Sequence, residues 1–269
     1  MKHFAESWRS LQRRQTNRAL FLGFDYDGTL TPLVDHPDQA VLDEQVKGLL
    51  NLLAQDPRYK LAVVSGRSLP DISQRVGLKN ITYVGNHGLE IEGPGIHFQS
   101  SLPVYFKEYF QQLAKELREL LAGFPGAWLE DKGLTMSLHY RQIAAGDMID
   151  LKRSFHKICK PYVARNAVTV TQGKKIFEVR PPIAWNKGDA VMWLLTKVQA
   201  AYGIERVLPI YFGDDMTDSD VFKVLNGKGI TVSVGEYFSP SAEYYLKSPF
   251  EVKEFLFNLV HPGSETVQR

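Results

Sequence analysis

Acidic side chains that follow an apolar run are the residues of this chain best suited to chemistry. Residues 20–25 are apolar up to Asp25, and Asp27 and Gly28 follow two and three positions later. A buried parallel strand that delivers carboxylates to the carboxyl edge of a sheet has this pattern, and open α/β sheets bind ligands at that edge. A strand followed by an ordinary Asp-Gly turn has the same pattern, so other motifs must decide between the two interpretations.

Three further segments place polar groups at the ends of predicted elements. Ser65 and Gly66 follow a second apolar run, Lys187 opens a predicted helix, and Asp214 and Asp215 follow a later apolar run. A lysine near a helix start is disfavoured by the helix dipole, so we expect an anion beside Lys187. If these strands are neighbours, one pocket holds several carboxylates, a lysine and a hydroxyl.

Such a set of side chains suits phosphoryl transfer. Carboxylate oxygens are ligands that Mg²⁺ prefers, and a metal ion with a lysine neutralises a phosphate so that an anionic nucleophile can approach it. One aspartate can form an aspartyl-phosphate, and a second can donate and accept the proton. A hydroxyl and the amides of a glycine turn can hold the other phosphoryl oxygens.

The order of the elements predicts an α/β fold with a parallel sheet, interrupted by a segment of another kind. Strands and helices alternate at both ends of the chain, as crossover connections require. Strands are predicted at 20–25, 60–65, 81–85, 208–212 and 230–234, and helices at 43–55, 69–76, 187–202, 218–225 and 251–260.

The segment 102–182 reads as an inserted α+β domain. It contains predicted helices at 102–122 and 147–160, an alternating strand at 133–141 and a hairpin of 168–171 with 175–179. We therefore assign 1–101 and 183–269 to a Rossmann-like core. The insert carries 13 Lys and Arg against 8 Asp and Glu, a basic balance that suits an anionic substrate.

The composition and the lack of long apolar runs argue against several other classes of protein. The net charge of +2 gives no reason to expect nucleic acid or an anionic membrane as a partner. The chain has one cysteine, Cys159, so it has no internal disulfide, and no apolar run approaches the roughly 20 residues of a membrane span. The N-terminal 18 residues lack the apolar stretch of a signal peptide. We expect a cytoplasmic monomer acting on a small molecule.

The motifs, taken in order, resemble those of the haloacid dehalogenase-type phosphatases over nearly the whole chain. By that resemblance Asp25 is the nucleophile and Asp27 is the general acid and base, while Ser65 and Lys187 hold the phosphoryl group. Mg²⁺ would be bound by the Asp25 carboxylate, the Asp27 backbone carbonyl and Asp214.

Asp215 would bind that ion or support its ligands. The run Asp218-Ser219-Asp220 stands where relatives often have Asp-Glu-Asp, and we do not expect this change to alter the chemistry, because it lies on the helix after the ligands. His139 and His156 have no partner at a ligand spacing and are interpreted as surface groups.

Four segments carry a narrower resemblance to trehalose-6-phosphate phosphatases, namely 85–90, 130–135, 173–181 and 213–218. That family removes phosphate from trehalose 6-phosphate, and its cap domain, which the insert matches in position and size, hydrogen-bonds the sugar. The resemblance implies a set of substrate-binding residues: Gly66, Arg67, His87, Glu130, Lys132, Arg141, Glu178 and Arg180.

Three alternatives stay open at this point. A phosphatase for sucrose phosphate or a glucosyl-glycerate phosphate would use the same core with other cap contacts. A phosphosugar mutase of the same superfamily would usually carry a smaller cap of another type. A non-catalytic regulator that binds a sugar phosphate would not need Asp27.

Overall fold

The computed structural model describes residues 1–13, 18–173, 175–203, 206–236 and 239–263. In that part of the chain no helix is both long and apolar enough to cross a membrane. The helices and strands are, in chain order, β1 Lys2–His3, α1 Phe4–Arg13, β2 Ala19–Phe24, α2 Glu44–Gln55, β3 Tyr59–Val64, α3 Leu69–Val76, β4 Thr82–Gly85, β5 Glu90–Gly93, β6 Ile96–Gln99, α4 Phe106–Leu121, β7 Trp128–Asp131, β8 Met136–His139, α5 Met148–Ala164, β9 Thr169–Gly173, β10 Ile176–Arg180, α6 Lys187–Tyr202, β11 Val207–Gly213, α7 Asp218–Leu225, β12 Ile230–Val234, β13 Tyr244–Leu246 and α8 Pro249–Val260.

The chain divides into two compact units. Unit 1 comprises Met1–Gln99 with Trp185–Arg269, and unit 2 comprises Ser100–Ala184. The insert assigned from sequence, 102–182, lies inside unit 2.

Unit 1 is built on a sheet in which the described strands run in the order β1-β13-β12-β11-β2-β3-β4-β5-β6. Following this order across the sheet, each strand from β1 to β4 is parallel to its neighbour. Strands β5 and β6 then add an antiparallel hairpin at one edge. This confirms the predicted α/β class with a parallel sheet. The hairpin, β1 and β13 were not predicted, because their short segments carry little periodicity. Helix α1 was also not predicted, although Phe4, Trp8 and Leu11 recur at helical spacing and pack on the core.

The central strands β2 and β11 are apolar on both faces because helices cover both sides of the sheet. One face contributes Leu22, Phe24 and Phe212 to a core with α2 and α8. The other contributes Phe21 and Tyr211 to a core with α6 and α7. The two strands therefore end at fixed positions side by side, with Phe24 paired in register with Phe212.

Unit 2 is an α+β layer whose sheet has the order β7-β8-β10-β9, all antiparallel. The predicted alternation is confirmed, since Met136, Leu138 and Tyr140 enter the core with α4 and α5. The hairpin of β9 and β10 is also confirmed, although Lys174 in its turn lies outside the described residues. Helix α5 runs past the predicted end at 160, to Ala164, and contains Pro161, which lacks the amide that would donate to the carbonyl four residues earlier.

The stacked rings of Phe24 and Phe212 are expected to stabilise unit 1 directly beneath the strand ends. Both rings are fully buried, and their centroids are 5.0 Å apart. Phe24→Ala should lower the free energy of unfolding by about 3–5 kcal/mol, measured by urea denaturation. Phe250→Ala, at a 63% exposed phenylalanine of the same unit, is the control and should cost less than about 0.5 kcal/mol. Equal losses in the two variants would contradict this placement.

Candidate active site

Three strands of unit 1 bring the polar residues that follow them to one edge of the sheet. Asp25 follows β2, Ser65 follows β3, and Asp214 follows β11. Because β11, β2 and β3 are adjacent and parallel, the three ends are neighbours. The Asp25 backbone amide also donates to the Phe212 carbonyl at 2.8 Å, which extends the ladder to the first acid.

Lys187 is the cation at the centre of this edge. Its Nζ donates to Asp25 Oδ1 at 2.7 Å and to Asp218 Oδ1 at 2.9 Å. The lysine is 3% exposed and Asp25 is 5% exposed. A capping box places the lysine, since Asn186 and Asp189 each bond the other's backbone amide at the start of α6. The anion that we expected beside Lys187 is therefore a pair of carboxylates.

Asp218 belongs to this site, although it was not among the site residues predicted from the sequence. Its Oδ1 accepts from Lys187 and from the Tyr211 hydroxyl at 2.8 Å. Its Oδ2 accepts from the backbone amides of Asp214 and Asp215, at 3.1 and 3.2 Å. Asp218 thus fixes the loop that carries Asp214. The signal in the sequence was an acid three positions after Asp215, in the first turn of a helix.

Asp215 caps the start of α7. Its Oδ1 accepts from the Thr217 amide and hydroxyl, both at 2.7 Å, and from the Asp218 amide at 3.2 Å. These bonds give Asp215 a local structural task in addition to the role at the metal expected from the sequence.

Burial raises the pKa values of two carboxyl groups in this cluster, Asp25 and Asp214. Burial raises the pKa of Asp25 well above its usual value, against the attraction of Lys187. Burial, with the charge of Asp218 next in size, raises the pKa of Asp214 to about 8. Burial alone would lower the pKa of Lys187, but Asp218 and Asp25 raise it well above its usual value. The site therefore holds more carboxylates than one ammonium group can neutralise, and a further cation would be stabilised here.

The donor set fits a divalent metal ion. One carboxylate oxygen from each of Asp25, Asp214 and Asp218 lies within 4.8 Å of the other two. Gly28, at a φ of +92°, leaves room for the Asp214 carboxylate, since a Cβ there would lie 2.2 Å from Oδ2. Asp218 already accepts four hydrogen bonds, so Asp25 and Asp214 are the better donors. Carboxylate oxygens of this kind are hard ligands that suit Mg²⁺.

The turn after β3 is packed against a strained segment after β4. Ser65 Oγ accepts from the Arg67 amide at 3.1 Å, and the Ser65 carbonyl accepts from the His87 amide at 3.0 Å. Asn86 and His87 both have positive φ, at 48° and 56°, which is costly for these residues. A Cβ at Gly66 would lie 2.4 Å from His87 Cε1. Ser65, Gly66 and His87 therefore lie close together in unit 1.

Arg67 is engaged by carboxylates of unit 1. Its Nε and Nη2 donate to the two oxygens of Asp27, both at 2.7 Å, and its Nη1 donates to Asp71 at 2.9 Å. Its side chain is 6% exposed, whereas that of Asp27 is 36% exposed. This bidentate pair orients the Asp27 carboxylate. The contacts give Arg67 a role in holding Asp27 that differs from the substrate contact expected from sequence.

The remaining candidates lie in unit 2. Glu130 and Lys132 are on and just after β7, and their charged groups are 3.8 Å apart. Glu178 on β10 forms a hydrogen-bonded ion pair with Arg180. Arg141 follows β8 and is exposed. The interpretation of His139 as a surface group was wrong, because its ring stacks on Trp128 and its Nε2 is 2.9 Å from Glu130 Oε2.

The fold and the acidic cluster define the class first: an α/β protein with a largely parallel sheet that holds a cluster of carboxylates at its carboxyl edge. The chain belongs to the trehalose-phosphatase family, whose model matches residues 23–249.

Individual relatives agree with that assignment. A trehalose-phosphate phosphatase of Mycobacterium tuberculosis (strain ATCC 25618 / H37Rv) is 37% identical over 255 residues, which cover 91% of this chain and 62% of the relative. The chain thus spans less than two thirds of that protein.

Two solved structures share the fold. The crystal structure of a trehalose-6-phosphate phosphatase related protein has a TM-score of 0.75 at 26% identity and covers 90% of this chain and 98% of its own. The C-terminal domain of the C. albicans trehalose-6-phosphate phosphatase has a TM-score of 0.81 at 24% identity, over 98% of this chain and 99% of that domain.

Metal-free protein is expected to lose stability as the pH rises, because folding raises the pKa of Asp214 from 3.8 to about 8. A carboxyl with a raised folded pKa contributes stability below its unfolded value and loses that contribution as the pH rises through the folded value. The melting temperature in EDTA should therefore fall between about pH 5 and about pH 8. Mg²⁺ should raise it more at the higher pH, because a cation favours the ionised carboxylate.

The control variant is Asp214→Asn, which cannot titrate at this position. Its melting temperature should change less with pH than that of the wild type, and Mg²⁺ should affect it less. Equal pH dependence in the two proteins would contradict the assignment of the raised pKa to Asp214.

Proposed function

We propose that this protein is a Mg²⁺-dependent phosphatase that hydrolyses trehalose 6-phosphate to trehalose and phosphate through phospho-Asp25. The observation that carries this proposal is the contact of Lys187 with Asp25 and Asp218 beside Asp214. Membership in the trehalose-phosphatase family supports the substrate.

The chemistry consists of two displacements at phosphorus. In the first, an Asp25 carboxylate oxygen attacks the phosphorus, the bond from phosphorus to the sugar oxygen breaks, and Asp27 gives its proton to that oxygen. In the second, water attacks the phosphorus of phospho-Asp25 while Asp27 takes a proton from the water. The bond from phosphorus to Asp25 then breaks and phosphate leaves.

The other residues of unit 1 hold and orient the reacting groups. Lys187 neutralises phosphoryl oxygens and restrains Asp25, while Ser65 and the amides of its turn bind the remaining oxygens. Arg67 orients Asp27 through its two hydrogen bonds. Mg²⁺, held by Asp25, Asp214 and the Asp27 carbonyl, would supply the positive charge that offsets the phosphoryl group.

Unit 2 is proposed to act as the cap domain that recognises the sugar. Its polar strand residues Glu130, Lys132 and Glu178 offer both acceptors and a donor for sugar hydroxyls, with Arg141 and Arg180 as further donors. A monomeric state stays a prediction from sequence.

Removing the nucleophile tests the core of the mechanism. Asp25→Asn should lower the rate of phosphate release by about a thousandfold or more. Asp220→Asn changes the same residue type at a 42% exposed side chain on α7 and should keep the wild-type rate. Circular dichroism checks that both variants fold. A near-normal rate in folded Asp25→Asn would overturn the assignment of the nucleophile.

Substrate preference tests the rest of the proposal. Phosphate release with Mg²⁺ should be strongly selective for trehalose 6-phosphate over glucose 6-phosphate, sucrose 6-phosphate and glucosyl-glycerate phosphate, and EDTA should abolish it. Preference for another of these compounds would keep the aspartates and overturn the roles of Glu130, Lys132 and Glu178. Binding without release of phosphate from any compound would favour a regulator.

A further inference from the structure

One face of the unit 2 sheet carries a row of aromatic and polar side chains. In the register of β7 with β8, Trp128 lies opposite His139 and Glu130 lies opposite Ser137. In the register of β8 with β10, Ser137 lies opposite Glu178. Leu138, between Ser137 and His139, points to the core. The row therefore lies on the face of the sheet away from that core.

His139 is fixed within this row by two contacts of different kinds. Its ring stacks on Trp128 with centroids 4.0 Å apart and an interplanar angle of 10°. Its Nε2 is 2.9 Å from Glu130 Oε2. The stack limits rotation of the imidazole, and the hydrogen bond transfers that restraint to the glutamate.

The contacts of His139 restrain a long side chain, that of Glu130. Glutamate has a long side chain that loses considerable rotamer freedom when it binds a ligand. Lys132 Nζ approaches the same oxygen, Oε2, at 3.8 Å, a distance longer than a hydrogen bond. His139 is therefore the closer restraint on Glu130.

We propose that His139 is a positioning residue that, held by Trp128, orients the Glu130 carboxylate for the hydroxyl groups of the sugar. The inference rests on the proposed function, because it assigns Glu130 to the substrate. Pre-organising an acceptor lowers the entropy lost on binding. His139 therefore sets the affinity for the sugar phosphate and leaves the chemical step unchanged.

The test compares His139→Leu with His139→Gln, because a glutamine amide can place a nitrogen near the position of Nε2. His139→Leu should raise the KM for trehalose 6-phosphate by up to about tenfold, as expected when the Glu130 side chain must be ordered on binding, with kcat nearly unchanged. His139→Gln should restore most of the affinity. His156→Leu, at an exposed histidine of the same unit, is the control and should match the wild type.

A second substrate separates positioning from a loss of fold. Hydrolysis of p-nitrophenyl phosphate, which has no sugar, should be the same in the wild type and in all three variants. A fall in this activity in His139→Leu, or an unchanged KM for trehalose 6-phosphate, would overturn the role of His139. Wild-type protein that is inactive on trehalose 6-phosphate would instead overturn the proposed function.

Discussion

The buried ammonium group of Lys187 is the constraint on which the rest of unit 1 depends. A lysine in the first turn of a helix and out of contact with water is costly unless anions surround it. The anions are Asp25 and Asp218, from two different neighbouring segments of the sheet edge. The three groups can meet only if β2, β11 and α6 have fixed positions, so the charge cluster and the packing beneath it depend on each other.

The same cluster is the reason why we assign the proposed reaction to this edge of the sheet. Asp218 accepts four hydrogen bonds and acts as a fixed support. Asp25 and Asp214 are left with a surplus of negative charge in a poorly solvated place, as their raised pKa values indicate. A divalent metal ion would balance such a site, and together with Lys187 it would offset the charge of a bound phosphoryl group.

Most of the fold could be predicted from the sequence where hydrophobic periodicity was strong. The bounds of α3, α6, α7 and β12 agree with the predicted ranges, because caps and buried stripes mark both ends of these elements. The hairpin of β5 and β6 was missed since four-residue strands with charged side chains carry little pattern.

Only those acidic residues of the candidate site that end or closely follow a predicted strand could be predicted from the sequence. Asp25, Asp27 and Asp214 follow apolar runs, and this pattern predicted their meeting. Asp218 was missed because an acid in a first helical turn is ordinary, and its bond to Lys187 joins residues 31 positions apart. The role of His139 was also missed, because its partners Trp128 and Glu130 lie on β7, a strand that was not predicted.

A crystal structure of the protein with Mg²⁺ and beryllium trifluoride, a mimic of a phosphoryl group, would test the central claim most directly. Our account predicts a beryllium adduct on an oxygen of Asp25, with Mg²⁺ held by Asp25 and Asp214 and with Lys187 beside the adduct. An adduct on another residue, or a metal ion bound away from Asp25 and Asp214, would contradict it.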